Sequence, residues 1–260
     1  LRVNTIKASV RDARARLKVE SVDARPMPFS PWGLRCAPGV NVSATAAFRD
    51  GLVEFQDEGS QLAVLLCDAR PGMQVLDFCA GTGGKALALG AAMKNRGHLV
   101  ACDISTVRMA RAKLRLKRAG VENAERKQLP ATDDKWMKKH YGRFDRVLVD
   151  APCSGTGSWR RNPDARWSTQ AANLDELTAL QDAIIRRAAR FVKPGGRLIY
   201  ATCSLIRREN DERVDAFLAE AVIGGPDTVR RGLESLVERT GADELMVVTG
   251  AGDGIMAAAH

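Results

Sequence analysis

The sequence contains no C-x-x-C pair, no apolar run near the roughly 20 residues that cross a bilayer, and no two histidines at ligand spacing. Each absence removes a class. The six cysteines, Cys36, Cys67, Cys79, Cys102, Cys153 and Cys203, read as reduced thiols of a cytosolic protein. His98, His140 and His260 offer no metal site, and none is expected. The opening residues lack the apolar core of a signal peptide, so the expectation is a soluble, cytoplasmic monomer with no membrane partner. No internal repeat or low-complexity tract appears. The chain begins at Leu1 rather than Met, which leaves a segment upstream of it open.

What is present is basic. The chain has 260 residues and 45% hydrophobic content, enough for one large domain plus an appendage. Forty Lys and Arg face 31 Asp and Glu, and the net charge of +9 favours a polyanion such as nucleic acid. Arg108, Arg111, Arg115 and Arg118 recur at helical spacing in a stretch without an acid. That stripe alone reads as the solvated back of a helix. Residues 159–167 differ, because they interleave Trp159 and Trp167 with Arg160, Arg161, Asn162 and Arg166. Stacking surfaces beside phosphate partners suit an unpaired nucleic-acid strand.

Strand and helix patterns alternate through the middle of the chain. Strands are expected at 74–78, 98–102, 144–149 and 196–201, with a weak one at 124–128. Helices are expected at 83–93, at 105–119 with Ser105 as cap, and at 174–192, stopped by Pro194-Gly195-Gly196. This alternation predicts an α/β fold with a doubly wound parallel sheet. A closing hairpin is expected from residues 244–249 and 255–259 around the turn at 250–254, one strand of it antiparallel. Seven basic residues fall among the first 25, and Pro26, Pro28, Pro31 and Pro38 follow. Residues 1 to about 50 therefore read as a small N-terminal module or linker.

The segment Asp77-Phe78-Cys79-Ala80-Gly81-Thr82-Gly83-Gly84-Lys85 ends the first of these strands and opens a helix. Its glycines admit a ligand close to the backbone, and the helix start offers free N–H groups. A dinucleotide fingerprint would read G-x-G-x-x-G, whereas the loop gives only Gly81-Thr82-Gly83-Gly84. Asp77 at the strand end suits a cationic ligand better than a pyrophosphate. Asp103 ends the next strand, placed to accept ribose hydroxyls. An adenosine ligand without phosphates, S-adenosylmethionine, fits.

Two further strand ends carry thiols: Asp150-Ala151-Pro152-Cys153-Ser154-Gly155 and Ala201-Thr202-Cys203-Ser204. In a parallel sheet both open onto the ligand crevice. Pyrimidine carbon 5 is a poor nucleophile, and a sulfur added at carbon 6 makes it an enamine that can take a methyl group. The carbon 5 proton must then leave so that the sulfur can be eliminated. Two thiols divide that labour, one attacking and one assisting release, but their spacing does not say which. Lys85 and the arginines could supply the positive field a thiol needs, and Asp150 could hold the polarised ring edge.

These residues resemble the Nop/Sun family of RNA cytosine-5 methyltransferases, in particular its bacterial Fmu-like ribosomal RNA branch. The resemblance covers nearly the whole chain. Residues 1–5 are similar to the family's N-terminal RNA-binding subdomain, and 53–61 to the helix that leads in beside the cofactor. Residues 77–85, 150–157, 201–205 and Asp253-Gly254 are similar to its further motifs. The resemblance implies a Rossmann-like methyltransferase domain at 51–260 behind an RNA-binding module or linker at 1–50. It makes Cys203 the nucleophile and Cys153 the thiol for release, with Asp150 on the base and Lys85 near the reacting centre. The implied cofactor set is Asp77, Cys79, Ala80, Gly81, Gly83, Gly84, Lys85, Asp103, Arg108 and Asp150. Arg160, Arg161, Asn162 and Arg166 are then RNA contacts.

The sequence departs from the family at 127–133, where an acid that touches adenine is common, and at Ile255-Met256, where aromatics are common. The family branch also carries a helical RNA-binding domain upstream. Ribosomal RNA is the expected partner, with transfer RNA as the alternative. A noncatalytic RNA-binding or ribosome-assembly factor on the same scaffold is the second reading. A nicotinamide oxidoreductase would leave the thiols unexplained.

Overall fold

Short apolar runs become strands and the capped segments between them become helices in the computed structural model of this chain. The structure describes residues 1–159, 171–220, 242–248 and 257–259. In chain order the elements are β1 (Arg2–Val3), α1 (Val10–Val19), β2 (Ala24–Pro26), β3 (Leu34–Cys36), α2 (Ala46–Arg49), β4 (Val53–Glu54) and α3 (Glu58–Cys67). There follow β5 (Gln74–Asp77), α4 (Gly84–Ala92), β6 (His98–Asp103), α5 (Thr106–Ala119), β7 (Ala124–Gln128), α6 (Lys135–His140) and β8 (Phe144–Asp150). The last are α7 (Ala171–Ala189), β9 (Val192–Ala201), α8 (Asp211–Glu220), β10 (Ala242–Val248) and β11 (Ala257–Ala259). They fall into two compact units, Leu1–Met73 with Ala80–Leu129, and Gln74–Cys79 with Pro130–His260.

In the first unit β1 pairs antiparallel with β4, and β2 with β3. Ser9 caps α1 by accepting the Asp12 N–H, and the helix turns Ala13 and Leu17 inward. There they meet Val3, Val22, Leu34, Val42, Ala47 and Val53 in one apolar cluster. β6 and β7 run parallel, in register from Leu99 opposite Ala124 to Asp103 opposite Gln128. Between them α5 starts at the Ser105 cap and ends at Gly120, whose positive φ closes the last turn. Its buried stripe is Met109, Ala112, Leu116 and Ala119, spaced for one helical face. The arginines read from the sequence each precede a member of that stripe.

In the second unit β8 pairs parallel with β5 on one side and β9 on the other, and β9 pairs parallel with β10. β11 closes the sheet antiparallel to β10, as the tail pattern led one to expect. The turn at 250–254 lies outside the described residues. Val147, Leu148, Val149, Leu198, Ile199 and Tyr200 are buried in the two central strands, and α7 adds Ile185 and Ala188. Burial on both faces explains why these strands read as continuous apolar runs.

One boundary moves. The sequence reading runs the helix to 192 and starts the strand at 196, whereas α7 ends at Ala189 and β9 starts at Val192. Phe191 and Val192 are fully buried, and Phe191 meets Phe78, Tyr141 and Phe144 with ring centroids 5.8, 5.0 and 6.1 Å away. That burial draws Val192 opposite Phe144, and the register then jumps to Arg146 opposite Arg197. The proline and glycines form an irregularity inside the strand rather than the stop before it. The architecture is otherwise the α/β fold expected from the sequence. Among the described residues no helix is long and apolar enough to cross a membrane.

Candidate active site

In the first unit the glycine loop is built around Asp103. This residue ends β6 with only 5% exposure, and its carboxyl accepts two backbone donors, the Gly81 N–H at 2.9 Å and the Ser105 N–H at 2.8 Å. Gly81 and Gly83 both take positive φ, +55° and +83°, which a side chain would strain. A Cβ added at Gly81 or Gly84 would meet nothing within 4 Å, so both backbones border open space. Ala80, almost fully buried, donates its N–H to the Cys102 carbonyl at 2.7 Å. Lys85 stands half-buried in the first turn of α4. Gln56 reaches the Gly84 carbonyl at 3.1 Å, and Arg115 donates to the carbonyl and hydroxyl of Thr82 at 3.0 and 2.8 Å.

The basic stripe is therefore divided. Arg108 and Arg111 are exposed on α5, as a solvated helix back would be. Arg115 and Arg118 are instead paired with Glu54, a carboxylate 6% exposed, and Arg118 also lies over the Phe48 ring at 4.1 Å. Helical spacing could not reveal that half of the stripe holds the N-terminal strands in place. Arg108, expected at the cofactor, offers its backbone N–H to the Ser105 hydroxyl as part of the helix cap.

In the second unit the two cysteine loops meet. β8 and β9 are in register up to Asp150 opposite Ala201, and the Ala151 N–H donates to the Ala201 carbonyl at 2.9 Å. Three and two residues further on, the sulfurs of Cys153 and Cys203 lie 3.2 Å apart. The loops are also joined through backbone, with the Gly157 N–H on the Cys203 carbonyl at 2.9 Å. Cys203 is exposed and Cys153 is half-buried. The neighbouring Cys203 sulfur, followed by burial, pushes the Cys153 thiol up from its ordinary value. Asp150 is half-buried at the end of β8, and Asp77 is fully buried at the end of β5. Cys79 is half-buried, and so is Cys36 of the first unit, whereas Cys67 and Cys102 are buried.

A buried carboxyl that the sequence reading passed over stands behind both loops. Glu209, 0% exposed, accepts the Ser154 N–H at 2.8 Å and the Gln181 side-chain amide at 3.0 Å. The hydroxyls of Ser154 and Ser204 both donate to its other oxygen. Thr156 and Ser204 share a hydroxyl contact at 3.1 Å, and Asn210 donates to the Ser204 and Ile206 carbonyls at 3.0 Å each. One signal was available: Glu209-Asn210 is a polar pair on a short segment between a cysteine motif and a helix. Their burial was not.

Asp133, the acid within the departing stretch 127–133, is occupied elsewhere. Tyr141 donates to it at 2.5 Å, and Arg187 and Arg190 pair with it at 3.0 and 2.5 Å. Arg160, Arg161, Asn162 and Arg166 lie outside the described residues. Among the described residues no group of three or more His, Cys, Asp or Glu could hold a metal ion.

Known proteins resemble this chain in sequence and in fold. The family model described as 16S rRNA methyltransferase RsmB/F matches residues 64–226. Ribosomal RNA small subunit methyltransferase B of Yersinia enterocolitica is 38% identical over 219 residues, covering 84% of this chain and 50% of the relative. The protein of the same name from Pasteurella multocida is 37% identical over 233 residues, covering 85% and 50%. The chain thus spans about half the length of these curated relatives. Among solved structures, PH0851 is 33% identical with a TM-score of 0.79, covering 86% of this chain and 52% of that one. A methyltransferase homolog protein from Pyrococcus horikoshii is 30% identical with a TM-score of 0.72, covering 84% and 68%. By the match of its sequence over most of its length, the chain belongs to the 16S rRNA methyltransferase RsmB/F family.

Proposed function

We propose that this chain transfers a methyl group from S-adenosylmethionine to carbon 5 of a cytosine in RNA, with ribosomal RNA as the substrate class. The observation that carries the reading is the contact of Cys153 and Cys203 at the ends of adjacent parallel strands. Family membership and the relatives' names support the RNA and the reaction class.

The glycine loop fits the cofactor. Open space at Gly81 and Gly84 would admit an adenosine close to the backbone, and Asp103 has lone pairs left to accept ribose hydroxyls. Bound there, S-adenosylmethionine supplies an electrophilic methyl group. Asp77, Cys79, Ala80, Gly83 and Lys85 complete the proposed cofactor set, and Asp150 is proposed for the base.

Cys203, the exposed sulfur, forms a bond to carbon 6, and the ring double-bond pair moves to carbon 5, which takes the methyl group. A base takes the carbon 5 proton, the freed pair re-forms the ring double bond, and the sulfur–carbon pair leaves with Cys203 as thiolate. Cys153 serves this second half. While Cys203 attacks as a thiolate, Cys153 is held as a thiol by its hydrogen bond to that sulfur at 3.2 Å, then by burial and by the repulsion a second negative charge would meet. Once Cys203 is bonded to carbon, its charge is gone and Cys153 becomes easier to deprotonate. The contact thus orders the two roles.

The test is a pair of variants incubated with ribosomal RNA and cofactor. Cys153→Ala leaves protein covalently bound to RNA, whereas Cys203→Ala gives neither adduct nor methylcytosine. Methylation by Cys203→Ala would refute the mechanism, and failure of the unmodified protein to bind S-adenosylmethionine in calorimetry would favour a noncatalytic factor.

A further inference from the structure

The two thiols sit on separate loops, and a sulfur contact of 3.2 Å between loops needs something to hold it. The residue after each cysteine shows what does. Ser154 follows Cys153 and Ser204 follows Cys203, and both donate their hydroxyls to one oxygen of Glu209. Its second oxygen takes the Ser154 N–H and the Gln181 amide, and Gln181 also donates to the Pro152 carbonyl at 2.9 Å. The Glu209 backbone carbonyl accepts the Tyr200 hydroxyl from β9 at 2.8 Å. A carboxyl with 0% exposure is costly to keep unless its oxygens are satisfied, and here four donors satisfy them. Every partner of the carboxyl belongs to, or braces, a thiol-bearing loop.

We infer that Glu209 is a positioning residue that holds Cys153 and Cys203 in register. Its consequence for turnover rests on the function proposed above, but its geometry does not. All four partners donate, so replacements should act in graded fashion. Glu209→Gln can keep its amide oxygen toward the Ser154 N–H and Gln181, while its amide nitrogen faces two hydroxyls that must turn away. Glu209→Ala loses both halves of the clamp.

The test oxidises the protein with diamide, without RNA or cofactor. Each thiol gives up its proton, a sulfur–sulfur bond forms, and two electrons and two protons reduce the reagent's nitrogen–nitrogen double bond to a hydrazine. Peptide mass analysis then follows the Cys153–Cys203 disulfide in time. The unmodified protein should cross-link fast, Glu209→Ala roughly tenfold or more slowly, and Glu209→Gln and Ser204→Ala in between, with thermal melts showing each folded. In methyl transfer, kcat should fall in the same order with KM for RNA unchanged. If Glu209→Ala does not fold, Glu209→Gln and Ser204→Ala decide. Cross-linking by either folded variant at the unmodified rate overturns the proposal. Graded cross-linking in a protein that methylates nothing would uphold the clamp and refute the proposed function.

Discussion

The Asp103 carboxyl accepts the Gly81 N–H at 2.9 Å, fastening the end of β6 to the glycine loop. Its other oxygen holds the Ser105 N–H. Asn at this position has one acceptor oxygen for two backbone donors, and Ala has none. Asp103→Ala should weaken S-adenosylmethionine binding about 100-fold, with Asp103→Asn intermediate, as read by calorimetry. Undiminished affinity in a folded Asp103→Ala protein would remove this residue from the cofactor site.

Gly81 and Gly83 separate ligand space from packing. Both hold positive φ, so alanine at either costs about 1–2 kcal/mol of stability. At Gly83 the new Cβ would also come within 3.2 Å of Ala112, whereas at Gly81 it meets nothing. Gly83→Ala should therefore lower the denaturation midpoint more, and Gly81→Ala should lower cofactor affinity more. Equal effects in both measurements would contradict the assignment.

Glu54 pairs with Arg115 and Arg118 while almost fully buried. Glu54→Gln removes the charge that both guanidinium groups face, at an expected cost of roughly 1–3 kcal/mol in urea unfolding. Because Arg115 also bonds Thr82, the same variant should loosen the glycine loop and weaken cofactor binding.

Asp133 gives the protein an acid-sensitive brace. The Tyr141 hydrogen bond, followed by Arg187 and Arg190, holds its carboxyl below the usual carboxylate range. Burial, with that same hydrogen bond, pushes the Tyr141 hydroxyl up to about 12. Since the folded value of Asp133 lies below the unfolded one, the stabilisation is complete above the unfolded value of about 4. It disappears as pH falls through the folded value. Thermal melts should show Asp133→Asn below the unmodified protein near neutrality and the gap narrowing toward acid. A constant gap would mean that packing, not charge, is responsible.

The sites were legible to different depths. Gly81-Thr82-Gly83-Gly84, Asp103 and the two cysteine motifs stand out because their chemistry is local: turns that want glycine, strand ends that carry reactive groups. Glu209 and Gln181 did not, since a buried polar residue looks in sequence like an exposed one. The same limit hid Glu54, whose partners lie more than 60 positions away. At Pro194-Gly195-Gly196 a local stop signal lost to the burial of Phe191 and Val192, which extended β9 backward.

By itself the sequence determined the alternation of strands and helices through the middle of the chain, the loop that would receive a ligand and the presence of two thiols at strand ends, because periodicity and turn chemistry act over a few residues. Only the tertiary structure decided that the sulfurs touch, that one carboxyl clamps both their loops, and that two arginines of the basic stripe serve the fold. Those outcomes depend on burial, which sets what a charge or a hydrogen bond is worth and which is known only when distant segments meet.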